Sequence, residues 1–148
     1  MKKKIFLFAV VGLLIFASCN KVKKQSKRIS KEGQWSATIY VDDELFTEGT
    51  WHMNECKKPY DDLCTGSWTQ DELELNFYWQ FQEKAEVFVF QKQDKEGELE
   101  ADEVKFHNDA YQMSGSYTVL EAEKEHYLFE ATDIMGFDGQ KVVIELNK

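Results

Sequence analysis

The 148-residue sequence holds one proline, Pro59, and eight glycines. That is too little of either for a collagen-like or low-complexity chain. No Cys-x-x-Cys pair occurs, and His52, His107 and His126 are far apart, so the ligand spacing of a zinc site is missing. Neither a Gly-x-Ser-x-Gly elbow nor a glycine-rich phosphate loop is present. Asp42-Asp43-Glu44, Asp61-Asp62 and the trio Asp94, Glu96 and Glu98 match no calcium-loop pattern and read as solvated turns. Basic residues are also short: a formal net charge of −9 argues against binding to nucleic acid, which needs a lysine- or arginine-rich face. No set of residues assembles into a catalytic constellation, so the expectation is a protein that is not an enzyme and holds no cofactor or metal.

What is present is unevenly distributed. Residues 1–18 carry three lysines and no acid, and residues 20–33 carry six basic residues against Glu32 alone. Residues 34–148 carry 9 basic and 26 acidic residues, a net charge of −17. A basic leader therefore precedes a strongly acidic body, whose charge suits solubility or a basic partner protein.

The leader has the parts of a signal peptide. Met1-Lys2-Lys3-Lys4 is a positive start, residues 5–16 are almost unbroken apolar sequence, and Ala17-Ser18 supplies small residues before Cys19. A run this short does not suit an ordinary spanning helix. The small residues followed by cysteine resemble the lipobox of bacterial lipoproteins. That resemblance implies removal of residues 1–18, acylation of Cys19, and, with Asn20 next, sorting to the outer membrane. Each buried methylene adds about 0.8 kcal/mol of membrane affinity, so several acyl chains on one residue hold without a spanning helix. Residues 19–33 then read as a lipidated cysteine and a flexible basic tether.

With Cys19 assigned to lipid, Cys56 and Cys64 form an even pair in an oxidising compartment. They flank a short loop containing Pro59 and Asp61-Asp62, with strand-like sequence on both sides, which reads as a hairpin closed by a disulfide. If Cys56 lies opposite Cys64, then His52 faces Trp68 and Trp51 faces Thr69. The two tryptophans would then sit on opposite sheet faces unless a bulge shifts the register.

Residues 73–81 alternate strictly, placing Leu73, Leu75, Phe77, Trp79 and Phe81 on one face. Similar runs cover residues 35–41, 47–56, 64–69, 86–91, 99–106, 111–120, 126–132 and 141–146, with short polar turns between them. No segment has a convincing helical period. The expected fold of residues 34–148 is an all-β, antiparallel up-and-down barrel of eight or nine short strands, or else a β-sandwich.

Gly33-Gln34-Trp35, Gly49-Thr50-Trp51 and Cys56 with Cys64-Thr65-Gly66-Ser67-Trp68 are similar to the small lipocalin-like lipoproteins of Bacteroidota. The resemblance implies an outer-membrane, lipid-anchored protein facing the periplasm or the cell surface. An eight-stranded barrel is wide enough either to fill itself with side chains or to hold one small ligand. Trp51, Trp68, Phe77, Trp79, Phe81 and Tyr117 are the candidates to line such a ligand site. The functional expectation is a non-catalytic, membrane-anchored lipoprotein holding a small hydrophobic ligand. The alternative is an envelope scaffold that binds a basic protein through its acidic surface.

Overall fold

In the computed structural model, residues 20–148 are described. Residues 1–18, expected to be a signal segment, and Cys19, expected to accept lipid, lie outside the described residues. The body is a closed barrel of eight antiparallel strands in simple sequential order. They are β1 Gln34–Val41, β2 Glu44–Met53, β3 Cys64–Gln70, β4 Leu73–Gln82, β5 Val87–Lys92, β6 Gly115–Ala122, β7 His126–Ala131 and β8 Val142–Asn147. β8 pairs back onto β1, with Ile39 opposite Ile144 and Val41 opposite Val142, which removes any free sheet edge. The expected up-and-down barrel is the observed architecture.

Alternation explains the core. On β4, Leu75, Phe77, Trp79 and Phe81 are buried and Leu73 half-buried, while Glu74, Asn76 and Gln82 are exposed. The hairpin between β1 and β2 turns through Asp42 and Asp43 alone, both with positive φ (49° and 67°), a combination matched to the twist of the flanking strands. Asp42 also ties the β1–β2 turn to the start of β8: its carboxylate accepts from the Lys141 backbone at 2.9 Å and from Gln140 at 3.1 Å. Those bonds hold the Asp42 carboxyl below its usual range.

Two elements depart from the sequence reading. Residues 20–32, expected as a flexible tether, are helical (α1). Val22, Ser26 and Ile29, spaced four and three apart, are buried on one helix face. The helix crosses the barrel end where β1, β3, β5 and β7 begin. Ile29 accepts a bond from Trp35 Nε1 (2.9 Å), Arg28 donates to the Ala122 carbonyl (2.9 Å), and Gln25 meets the Tyr127 hydroxyl (3.2 Å). Only two apolar side chains and a serine make the buried stripe, too weak a pattern to stand out among six basic residues.

The second departure is α2, Ala101–Gln112, between β5 and β6. It occupies most of the run expected as a strand over residues 99–106 and the start of the one over 111–120. Phe106, Ala110 and Met113 are buried at helical spacing, and the Glu103 carboxylate accepts from the Glu100 backbone amide (2.9 Å) at the helix start. Because β5 ends and β6 begins at the opposite barrel end, α2 covers the mouth that α1 does not.

The disulfide between Cys56 and Cys64 is present, with Cα atoms 5.2 Å apart. Its hairpin register differs from the one that opposed cysteines would impose. Trp51 pairs with Trp68 and His52 with Ser67, so both tryptophans face inward. β2 ends at Met53, leaving Cys56 in the loop rather than in the ladder. The loop folds back on the outside of β4: Pro59 is buried, and Gln80 Nε2 donates to the carbonyls of Pro59 (3.3 Å) and Asp62 (3.2 Å).

Candidate functional site in the barrel interior

All six residues expected to line a ligand site point into the barrel. Trp51, Trp68, Phe77, Trp79, Phe81 and Tyr117 are each at most 1% exposed. They belong to β2, β3, β4 and β6, and the alternation that predicted strands is what turns them inward. Close backbones make room for them. A Cβ on Gly49 would lie 2.3 Å from Trp68 Nε1, and one on Gly66 would lie 2.7 Å from Phe77 Cζ.

The rings reach one another across the lumen. Trp51 on β2 stacks on Phe90 of β5, three strands away, with centroids 5.0 Å apart. Phe81 on β4 approaches Tyr127 and Phe129 on β7, each at 6.2 Å. Phe88 stacks on Phe129 at 4.1 Å over the intervening β6. Strands that share no hydrogen bonds are thus joined through aromatic contact, and the middle of the barrel is filled. At the α2 mouth, Phe106 meets Trp68 edge-on at 5.1 Å, and Trp68 meets Trp51 at 5.7 Å. A continuous line of rings leads from the covering helix into the core.

Polar atoms in this interior are treated unequally. Trp35 Nε1 donates to Ile29, and Trp79 Nε1 donates to the Thr65 carbonyl at 2.8 Å. Tyr117 donates to the Met113 carbonyl, linking β6 to the end of α2. Burial raises the pKa of Tyr117 and pushes Tyr127 up to about 12, so both phenols remain protonated donors at neutral pH. Trp51 Nε1, Trp68 Nε1 and both ring nitrogens of His107, by contrast, find no partner among the described residues. A buried donor without an acceptor costs about 1–3 kcal/mol, so two such indoles in one core are notable.

His107, one residue past a run expected as a strand, lies on the buried side of α2, 4% exposed. Burial, helped by Lys92 and Lys95 and opposed by Glu103, keeps its pKa below the usual histidine value. The imidazole is therefore neutral at pH 7, with one donor and one acceptor nitrogen. Sequence reasoning missed this residue because the segment was read with the wrong period. The Phe106, Ala110 and Met113 spacing was the signal that could have found it.

The other histidines stand elsewhere. His52 is exposed on the outer face of β2, and His126 sits between Glu121 (2.9 Å) and Glu145 (3.2 Å) on the outer wall. Among the described residues no three His, Cys, Asp or Glu side chains converge as a metal site. None of the described helices is long and apolar enough to cross a membrane.

No protein-family model matches the chain, and no curated protein matches its sequence. Likeness appears at the level of structure. A redesigned β-barrel aligns over 83% of this chain and 93% of its own length, with 13% identity and a TM-score of 0.49. Japanin from the tick Rhipicephalus appendiculatus, solved bound to cholesterol, aligns over 81% of this chain and 77% of its own, with 8% identity and a TM-score of 0.51. At such identity the likeness concerns the fold, and that fold is a lipocalin-like β-barrel.

Proposed function

We propose that this protein is a membrane-anchored, non-catalytic binding lipoprotein whose barrel receives one small apolar molecule bearing a hydrogen-bond acceptor. The observation that carries this reading is the pair of buried, unpartnered indole donors of Trp51 and Trp68 within an otherwise apolar ring cluster. A guest that places a hydroxyl, carbonyl or carboxylate oxygen against them would satisfy donors that the described residues leave unmatched. Japanin's cholesterol, apolar with a single hydroxyl, is a molecule of that kind.

Because the middle of the barrel is filled, the guest enters at the α2 end, parting Phe106 from Trp68. The segment joining β5 to α2 contains Gly97, with φ of 90° and open space around it, a suitable place for the helix to swing. The anchor is Cys19 with its acyl chains, in the outer membrane and facing the periplasm or the cell surface. Metabolic labelling with palmitate tests it: Cys19→Ala should abolish incorporation, and undiminished label in that variant contradicts it.

Binding is tested by titrating palmitate or cholesterol into the full chain and following tryptophan fluorescence. A saturable change with one molecule per chain supports the proposal. A flat response to both, together with no small molecule retained in native mass spectra, overturns it. A second reading, a docking module for a basic envelope protein, is favoured by the acidic α2 region and the exposed Tyr111 and Met135 beside it. It predicts a complex that dissociates steeply with salt.

A further inference from the structure

Every exposed residue of α1 over positions 20–32, apart from Asn20, is a lysine: Lys21, Lys23, Lys24, Lys27 and Lys31. The arrangement follows from helical geometry. Val22, Ser26 and Ile29 face the barrel end, and at 3.6 residues per turn Lys24, Lys27 and Lys31 fall on the directly opposite face, with Lys21 and Lys23 beside them. The one acid of the helix, Glu32, is half-buried and lies 3.8 Å from Lys148.

The basic surface continues past the helix. Lys23, Lys27 and Ser30 share a shallow groove of about 320 Å³ with Glu55, Cys56, Lys57 and Pro59 of the disulfide loop, three lysines against one acid. Acids do occur at this end, in Glu55, Asp61 and Asp62 of that loop, Glu83 and Glu86 of the β4–β5 connection, and Glu121, Glu123 and Glu125 around the β6–β7 turn, but none is on the outward face of α1. The opposite end has the opposite sign. From Asp94 to Asp109, around α2, seven acids stand against Lys95 and Lys105. The molecule is polarised along the barrel axis.

We infer that the lysine face of α1 docks on an anionic phospholipid surface, fixing the barrel with its α1 end toward the membrane and its α2 mouth away from it. The inference rests on the proposed anchoring at Cys19, which would place α1 at the bilayer from its first described residue. A flexible tether would leave the barrel free to tumble. A helix bonded to the barrel through Trp35, Arg28 and Gln25 transmits the orientation of its lysines to the whole domain. Phosphate groups attract the five ammonium groups, and the acidic α2 end is repelled from the same surface. Both effects act within a screening length of about 8 Å at physiological ionic strength. The consequence for function is that the guest-admitting mouth faces the aqueous compartment.

Lysine footprinting tests this. The full chain is reconstituted in phosphatidylglycerol or phosphatidylcholine vesicles, recovered by flotation, and acetylated briefly before mass spectrometry. Docking predicts that Lys21, Lys23, Lys24, Lys27 and Lys31 are labelled at least threefold more slowly on phosphatidylglycerol. Lys105, exposed on α2, should be labelled equally on both. High salt, or joint Lys24→Glu, Lys27→Glu and Lys31→Glu substitution, should remove the protection. Equal labelling of the α1 lysines on the two lipids, in chains that float with both, overturns docking while leaving the anchor intact. Failure to float with either lipid overturns both.

Discussion

At the scale of single residues, the four tryptophans divide into two classes that the sequence does not distinguish. Trp35 and Trp79 find carbonyl acceptors, whereas Trp51 and Trp68 find none among the described residues. That all four face inward was legible for β4, where alternation is strict, and ambiguous for β2 and β3. There the register depended on assuming opposed cysteines, and the real ladder stops before Cys56. Gly49 shows how tight the site is. Gly49→Ala should force Trp68 from its place and lower stability by about 1–3 kcal/mol in a denaturant titration, the range for overpacking. His107 gives a pH dependence. Its pKa is lowered in the folded protein, so the unfolded chain binds the proton first, near pH 6.5. The contribution to stability is therefore full above that pH and declines as pH falls below it. Amide exchange in α2, corrected for intrinsic rates, should be faster at pH 5 than at pH 8, and His107→Gln should flatten the difference.

At the scale of elements, strands were readable and helices were not, for one physical reason. A strand of this barrel buries every second residue, so four or five aromatic and aliphatic side chains announce it. α1 and α2 rest on barrel ends and bury only a few residues each, and their apolar periodicity is correspondingly faint. α1 is held by specific bonds rather than by a broad apolar face. Trp35→Phe keeps a six-membered ring but loses the buried pyrrole and its bond to Ile29, which should cost about 2–4 kcal/mol, lost bond and cavity together. It should also raise amide exchange in α1 selectively, leaving β4 unchanged. The Cys56–Cys64 loop behaves as another clip. Its small ring limits the entropic stabilisation to roughly 2–3 kcal/mol. Reduction should thus lower the melting temperature modestly and expose the Pro59 region, where Gln80 holds the loop to β4, to proteolysis. A reduced protein that unfolds completely at room temperature would contradict this.

At the scale of the whole molecule, the segregation of charge between leader and body was visible in the sequence, but its direction in space was not. Only the closed barrel sets the lysine helix at one end and the acidic α2 region at the other. The same architecture frames the central claim, that a guest enters beneath α2 and is read by two otherwise unmatched indoles. The four indole N–H resonances provide an internal comparison for this claim. In a 15N-labelled full chain titrated with palmitate or cholesterol, the signals of Trp51 and Trp68 should move as their hydrogens gain an acceptor. Those of Trp35 and Trp79, already bonded to Ile29 and Thr65, should shift far less. If binding saturates while Trp51 and Trp68 stay in place, or if no ligand moves any indole, the barrel interior is a packed core and not a binding site.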